Sequence, residues 1–230
     1  MNMPGARGNF VYRNLANAMS VLGVLPLVVL FLDDGYRYVV PLILFNSFMD
    51  DFDGIVAAKL NIRSRFGANL DNVCDAVAHI ILALAVGAHF GGLLIAASAI
   101  AAGSILLRVV TRLDTETTNG NGSPTNELMR HMLFILLLAG QFDFSHGYIL
   151  IALFLIHSVS MLVPYPMPDL IIKWAKSTVM VGLVNVALVA AWLVPMVTPV
   201  VAAAFIGTYV YAFIVGWVSW QREVGVKTLP

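Results

Sequence analysis

Five aspartates fall between positions 50 and 75 of a chain that is otherwise close to pure hydrocarbon. Four of them are spaced Asp50-x-x-Asp53-Gly54 and Gly67-x-x-x-Asp71-x-x-x-Asp75. On a helix turning about 100° per residue, Asp50, Asp53, Gly54 and Ala57 share one face, at about 0°, 300°, 40° and 340°. Asp71 and Asp75 are i,i+4 neighbours on the next helix, and the short loop between makes the two helices packing neighbours. Four carboxylates converging in a low-dielectric site repel one another and call for a cation. Their hard oxygens suit Mg²⁺, Mn²⁺ or Ca²⁺ rather than zinc, and Mg²⁺ usually takes a substrate phosphate as a further ligand. Gly54 and Gly67 leave room for a bulky ligand to approach the backbone beside the acids. A metal, a phosphate and a spare carboxylate make a phosphoryl-transfer site. One aspartate takes the proton of an attacking hydroxyl while the metal neutralises the leaving phosphate.

The elements that hold these residues are set by composition. The 230 residues are 60% hydrophobic and 11% charged, with a mean hydropathy of +0.86. Soluble domains carry roughly a quarter charged residues, so an integral membrane protein is expected. Apolar runs near the ~20 residues needed to cross a bilayer point to helices, and no period-2 pattern recurs at barrel spacing. Zero net charge gives no sign of a nucleic-acid partner. The single cysteine, Cys74, cannot form an internal disulfide. Arg7, Arg13 and the apolar run Val21–Leu32 resemble a signal peptide, but Asp33-Asp34-Gly35 follows with no small-x-small cleavage site. A retained first span is expected.

The expected fold is all-α, a transmembrane bundle of about eight spans in one domain, 1–230. The spans fall near 15–33, 38–60, 67–89, 93–112, 126–142, 146–163, 170–194 and 199–220. Pro26 is placed to kink the first, and Pro41 lies in the first turn of the second, where proline is tolerated. Gly91-Gly92 makes a tight return, 114–125 forms the longest loop, and Pro164, Pro166 and Pro168 break the chain again. Under this topology Arg7, Arg13, Lys59, Arg63, Arg65, Arg108, Arg112, Arg130, Lys173, Lys176, Arg222 and Lys227 share one side, and Arg37 alone falls on the other. The positive-inside bias puts both termini and the aspartates at the cytoplasmic face.

The aspartate stretch resembles the CDP-alcohol phosphotransferase family, whose pattern is D-x-x-D-G-x-x-A-R, eight residues, then G-x-x-x-D-x-x-x-D. Asp50, Asp53, Gly54, Ala57, Gly67, Asp71 and Asp75 match in type and spacing. The flanks Ser64-x-Phe66-Gly67-Ala68-x-Leu70-Asp71 and Asn17-x-x-Ser20 are similar too. The pattern, residues 50–75, covers about a tenth of the chain. The resemblance implies a six-span catalytic core with extra helices. It implies that Asp50, Asp53, Asp71 and Asp75 hold one or two Mg²⁺ or Mn²⁺ ions at the pyrophosphate of a CDP-linked lipid such as CDP-diacylglycerol. Asp75 would be the general base for an acceptor alcohol, and Gly54, Ala57 and Gly67 would line the cytidine pocket. CMP would leave and a phospholipid would form, made by a homodimer in a bacterial inner or other cell membrane. One position departs. The family's arginine after Ala57 is Ala58 here, Lys59 points about 100° further round, and Arg63 or Arg65 could supply the charge instead.

Other polar residues have competing readings. Asp51 lies off the site face and reads as a solvated or loop-paired acid. Arg108 and Arg112 form either an anion pocket for the acceptor or a pair of headgroup anchors. Arg130 and His131 either gate the acceptor or leave Arg130 paired to Glu127 at i,i+3; pairing is the expectation. His79 is expected to be a satisfied interior histidine and Cys74 a packing residue. Tyr209, Tyr211, Trp217 and Trp220 fit an interfacial aromatic belt. The acceptor is expected to be serine or choline, with glycerol phosphate or inositol phosphate as alternatives. A non-catalytic family member and an acid-lined ion transporter are the other classes. Acids confined to one interface count against the transporter.

Overall fold

The structure is a computed structural model that describes residue 12 and residues 14–113, 122–167 and 178–227. Helix α1 (Leu15–Val24) continues as a 3₁₀ segment, Leu25–Phe31, and a second 3₁₀ turn covers Gly35–Tyr38. There follow α2 (Val39–Lys59), α3 (Arg65–Phe90), α4 (Leu93–Leu113), α5 (Thr125–Phe142), α6 (Gly147–Leu162), α7 (Thr178–Leu193) and α8 (Thr198–Lys227). The described part of each of the eight expected spans is mainly helical, residues 170–177 of the seventh lying outside the described residues, and the described residues contain no strand. By length and composition alone, α3, α4 and the Thr198–Val224 part of α8 can cross a membrane, while Leu15–Phe31, α6 and α7 are shorter apolar helices. Helices α2 and α5 are interrupted by charged residues, Asp50, Asp51 and Asp53 on the first and Glu127 and Arg130 on the second. The basic positions Arg7, Arg13, Lys173 and Lys176 lie outside the described residues, as do most of the 114–125 loop and Pro168.

The distribution of polarity is inverted relative to a soluble protein. Leu93, Val110 and Val159 face outward, while Arg108, His79, His157, Ser98 and Ser160 are buried. Lipid is the solvent that favours this arrangement, because outward apolar groups cost nothing there and buried polar groups find partners only inside the bundle. The protein is an integral membrane protein.

Local chemistry sets the helix ends near the site. Pro26 begins the 3₁₀ segment, so the expected kink is a tightening of the helix rather than a bend alone. Ser64 caps α3, its Oγ accepting from the Gly67 N–H at 2.9 Å. Gly91 and Gly92 turn the chain with φ of +71° and +57°, a conformation glycine adopts without strain. They return α4 against α3 along fully buried small residues, Ala78, Ala83 and Ala101. A Cβ on Gly87 would overlap the Ser98 side chain, so this close approach needs glycine.

Helix α8 runs past the expected end at 220 to Lys227. Tyr209 is partly buried and packs inward against α6. Its ring stacks on His157 at 4.7 Å, and its hydroxyl donates to Ser160 Oγ at 2.7 Å. Trp217 and Trp220 lie nearer the helix end and pack around Tyr165, with ring centroids 6.0 and 5.8 Å away.

Candidate active site

The aspartates are brought together from two helices. Asp50 and Asp53 lie one turn apart on α2, and Asp71 sits on the second turn of α3, which returns beside α2 after the loop at residues 60–64. Asp50, Asp53 and Asp71 each offer one oxygen, and these three oxygens lie within 4.8 Å of one another. Asp75, one turn beyond Asp71, is within hydrogen-bonding reach of Asp50, as Asp71 is of Asp53. An all-carboxylate set at this spacing fits a hard divalent cation. The triad can hold a metal, and Asp75 stands beside it with Asp50 as its neighbour.

Three further helices fix the orientation of these carboxylates. From α1, Ser20 Oγ donates to Asp53 Oδ2. From the start of α5, Asn126 Nδ2 donates to Asp50 Oδ2 at 2.8 Å. From α7, Asn185 Nδ2 donates to Asp51 Oδ2 at 2.5 Å. Asp51 is therefore neither solvated nor loop-paired; it is bonded across helices inside the bundle. Each bond occupies one oxygen and leaves the other free to turn. That matters for Asp50, whose second oxygen can face a cation only if the first is held.

Beside the triad lies a pocket of about 220 Å³, lined by Asp53, Gly54, Ala57, Arg63, Ser64, Gly67 and Asp71 among others. The three small residues expected to flank a nucleotide thus share one cavity with two of the acids. Their roles in it differ. A Cβ on Gly54 would meet nothing within 4 Å, so its face is open space. A Cβ on Gly67 would stand 2.9 Å from Asn17 Oδ1 and 3.2 Å from Ser64 Oγ, so Gly67 serves the packing of α1 on α3 as well as the pocket. Ala58 is exposed, and it is Arg63 that lines the cavity.

The paired arginines separate. Arg108 is buried, 2% exposed, and donates from Nη1 to the Met161 carbonyl at 3.2 Å; it is not a headgroup anchor. Arg112 donates to Asn72 Oδ1 at 3.2 Å, next to Asp71 in sequence. The expected Glu127–Arg130 pair is present at 2.8 Å. His131 continues from it, Nδ1 lying 2.9 Å from His157 Nε2. His79 is interior, but its Nδ1 finds no partner among the described residues, so it is not satisfied by protein atoms. It lines a cavity of about 10 Å³ with Asn126 and Arg130, near the lower limit for one water. Cys74 is half-buried between the acids.

Sequence reasoning did not find Asn126 or Asn185, and it met Ser20 only as part of a flanking resemblance. A polar residue in the first turn of α5 and one in the middle of an apolar helix were the available signals.

A family model described as CDP-alcohol phosphatidyltransferase matches residues 13–163, about two thirds of the chain. The match ends one residue past α6 and leaves α7 and α8 outside it. No curated protein matches the chain.

Proposed function

Since the chain belongs to the CDP-alcohol phosphatidyltransferase family, we propose that it transfers a phosphatidyl group from CDP-diacylglycerol to the hydroxyl of a small polar alcohol, releasing CMP. The observation that carries this reading is the convergence of Asp50, Asp53 and Asp71 oxygens within 4.8 Å beside a pocket lined by Gly54, Ala57 and Gly67.

In this reading Asp50, Asp53 and Asp71, with Asp75 completing the set, hold Mg²⁺ or Mn²⁺, which neutralises charge on the pyrophosphate. The pocket takes the cytidine half, its open side at Gly54 admitting the nucleotide. Asp75 takes the proton of the acceptor hydroxyl. That oxygen forms a bond to the phosphorus carrying diacylglycerol, and the bond from the same phosphorus to the CMP oxygen breaks, its electron pair leaving with CMP. Arg112 meets the acceptor from the α4 side, while Arg108 ties α4 to the end of α6. The acceptor is serine or choline, with glycerol phosphate or inositol phosphate as the alternatives.

The same reading puts the site and both termini at the cytoplasmic face. Lys59, Arg65, Arg112, Arg130 and Arg222 all fall at the helix ends that share the aspartates' side, and Arg37 falls at the other. It makes the functional unit a homodimer and treats residues 1–230 as one domain. Asn185 supports the last point, because it bonds α7 to the site helix.

The test is CMP release from CDP-diacylglycerol with serine, choline, glycerol phosphate or inositol phosphate, with and without Mn²⁺. Serine or choline should support metal-dependent release, and Asp75→Asn should lower it by about 10²–10⁴-fold. Background release with every acceptor would end the enzyme reading. Undiminished release from Asp75→Asn would remove Asp75 as the base.

A further inference from the structure

A second, larger cavity than the one at the aspartates lies elsewhere on the molecule. A groove of about 800 Å³ opens at the opposite end of the bundle, lined by the chain at 30–32 and 34–37 and by α3 from Ile81 to His89. Asp71 and His89 are 18 residues apart on α3, about 27 Å along the axis. The groove therefore belongs to the other leaflet and serves no part of the transfer site.

Its polarity changes along its length. Ile81, Leu84, Ala85 and Leu30 make its deep part, and Asp34, Tyr36, Arg37 and His89 its mouth. The groove spans Ile81 to His89, about 12 Å of helix, from near mid-membrane to the interface. An apolar depth under a polar mouth is the profile of a phospholipid, acyl chain below and headgroup above. The mouth carries one charge of each sign, Asp34 and Arg37. Among the described residues they form no ion pair with each other or with a third side chain; Arg37 lies over the Tyr38 ring at 4.7 Å. Asp33 is outside the lining. A headgroup bearing both a phosphate and an ammonium complements this pair, and a purely anionic one meets Asp34 unfavourably.

The mouth is also held in shape. Asp34 adopts φ +58°. Gly35 is buried so tightly that a Cβ would overlap the Val29 carbonyl, and Tyr36 stacks flat on His89 at 3.4 Å. The turn is closed by the Arg37 N–H on the Asp34 carbonyl at 3.3 Å, which fixes the backbone under both side chains and lowers the entropic cost of binding. Phe31 and Leu32, 74% and 63% exposed, extend the apolar wall toward the surrounding lipid.

We propose that this groove is a binding site for one zwitterionic phospholipid of the leaflet opposite the aspartates, phosphate on Arg37, ammonium on Asp34 and an acyl chain along Ile81–Ala88. The test uses the full chain in nanodiscs of equimolar phosphatidylethanolamine and phosphatidylglycerol with matched acyl chains. Lipid kept through detergent extraction is read by native mass spectrometry. Phosphatidylethanolamine should be retained at least fivefold over phosphatidylglycerol. Arg37→Gln and Asp34→Asn should each erase that preference, and Ala85→Phe, which fills the depth, should remove the bound lipid while CMP release is kept. Equal retention of the two lipids would overturn the proposal. So would a preference that survives Arg37→Gln and Asp34→Asn together, or a loss of dimer mass in Ala85→Phe with lipid still bound, which would make the groove a contact between copies.

Discussion

Ala58 stands where the resemblance expects an arginine. The α2 face there is exposed, and Arg63, five residues on and near the end of the loop into α3, lines the pocket. The loop geometry allows this because Ser64 closes α3 immediately afterwards, which fixes the backbone at the pocket edge. If Arg63 supplies the charge for the nucleotide phosphates, Arg63→Gln raises KM for CDP-diacylglycerol about tenfold, equivalent to ~1.4 kcal/mol, and leaves kcat close to wild type. Arg63→Lys recovers part of the loss, because it keeps the charge but not the paired donors. Steady-state kinetics with varied donor separate these outcomes. An Arg63→Gln enzyme with unchanged KM would return the question to Ala58.

At the scale of helices, two asparagines do different work on one element. Helix α2 presents Asp50 to α5 through Asn126 and Asp51 to α7 through Asn185. Only the first bond touches the triad. Asn126→Leu is expected to weaken metal dependence and turnover by about 10–100-fold, the usual cost of losing a group that orients a ligand. Asn185→Leu leaves a buried carboxylate oxygen without its donor, so it should cost about 1–3 kcal/mol of stability with turnover retained in the folded fraction. An activity titration with Mn²⁺ and a thermal unfolding midpoint, taken on both variants, distinguish the two roles. These bonds mark the limit of what the sequence carried. Apolar runs marked the eight helices, and the spacing of Asp50, Asp53 and Asp71 marked the carboxylate triad, since i,i+3 and i,i+4 relations are local. Which face of α5 or α7 meets α2 is decided by packing over more than 70 residues of separation, and hydropathy holds no record of it.

For the whole molecule, the triad spans α2 and α3, and a cation held there would cross-link the two helices. Three carboxylate oxygens within 4.8 Å repel in its absence, and a cation bound to the folded state alone adds about 2.7 kcal/mol at a hundred times its dissociation constant. Chelation should therefore lower the unfolding midpoint of the purified protein, Mn²⁺ or Mg²⁺ should restore it, and Asp53→Asn should abolish the response. A midpoint indifferent to chelator would remove the metal from the fold's stability. The Asp51–Asn185 bond bears on the molecule in time as well as in space. Its partners lie 134 positions apart, and synthesis at about 5–20 residues per second separates them by on the order of ten seconds. A carboxylate costs up to about 3 kcal/mol to insert at the bilayer centre and less toward the interface, where the proposed topology puts Asp51. During its own biogenesis, then, α2 enters the bilayer before the residue that bonds Asp51 exists, and α7, outside the family match, ties down a helix whose triad contacts come from α1, α3 and α5.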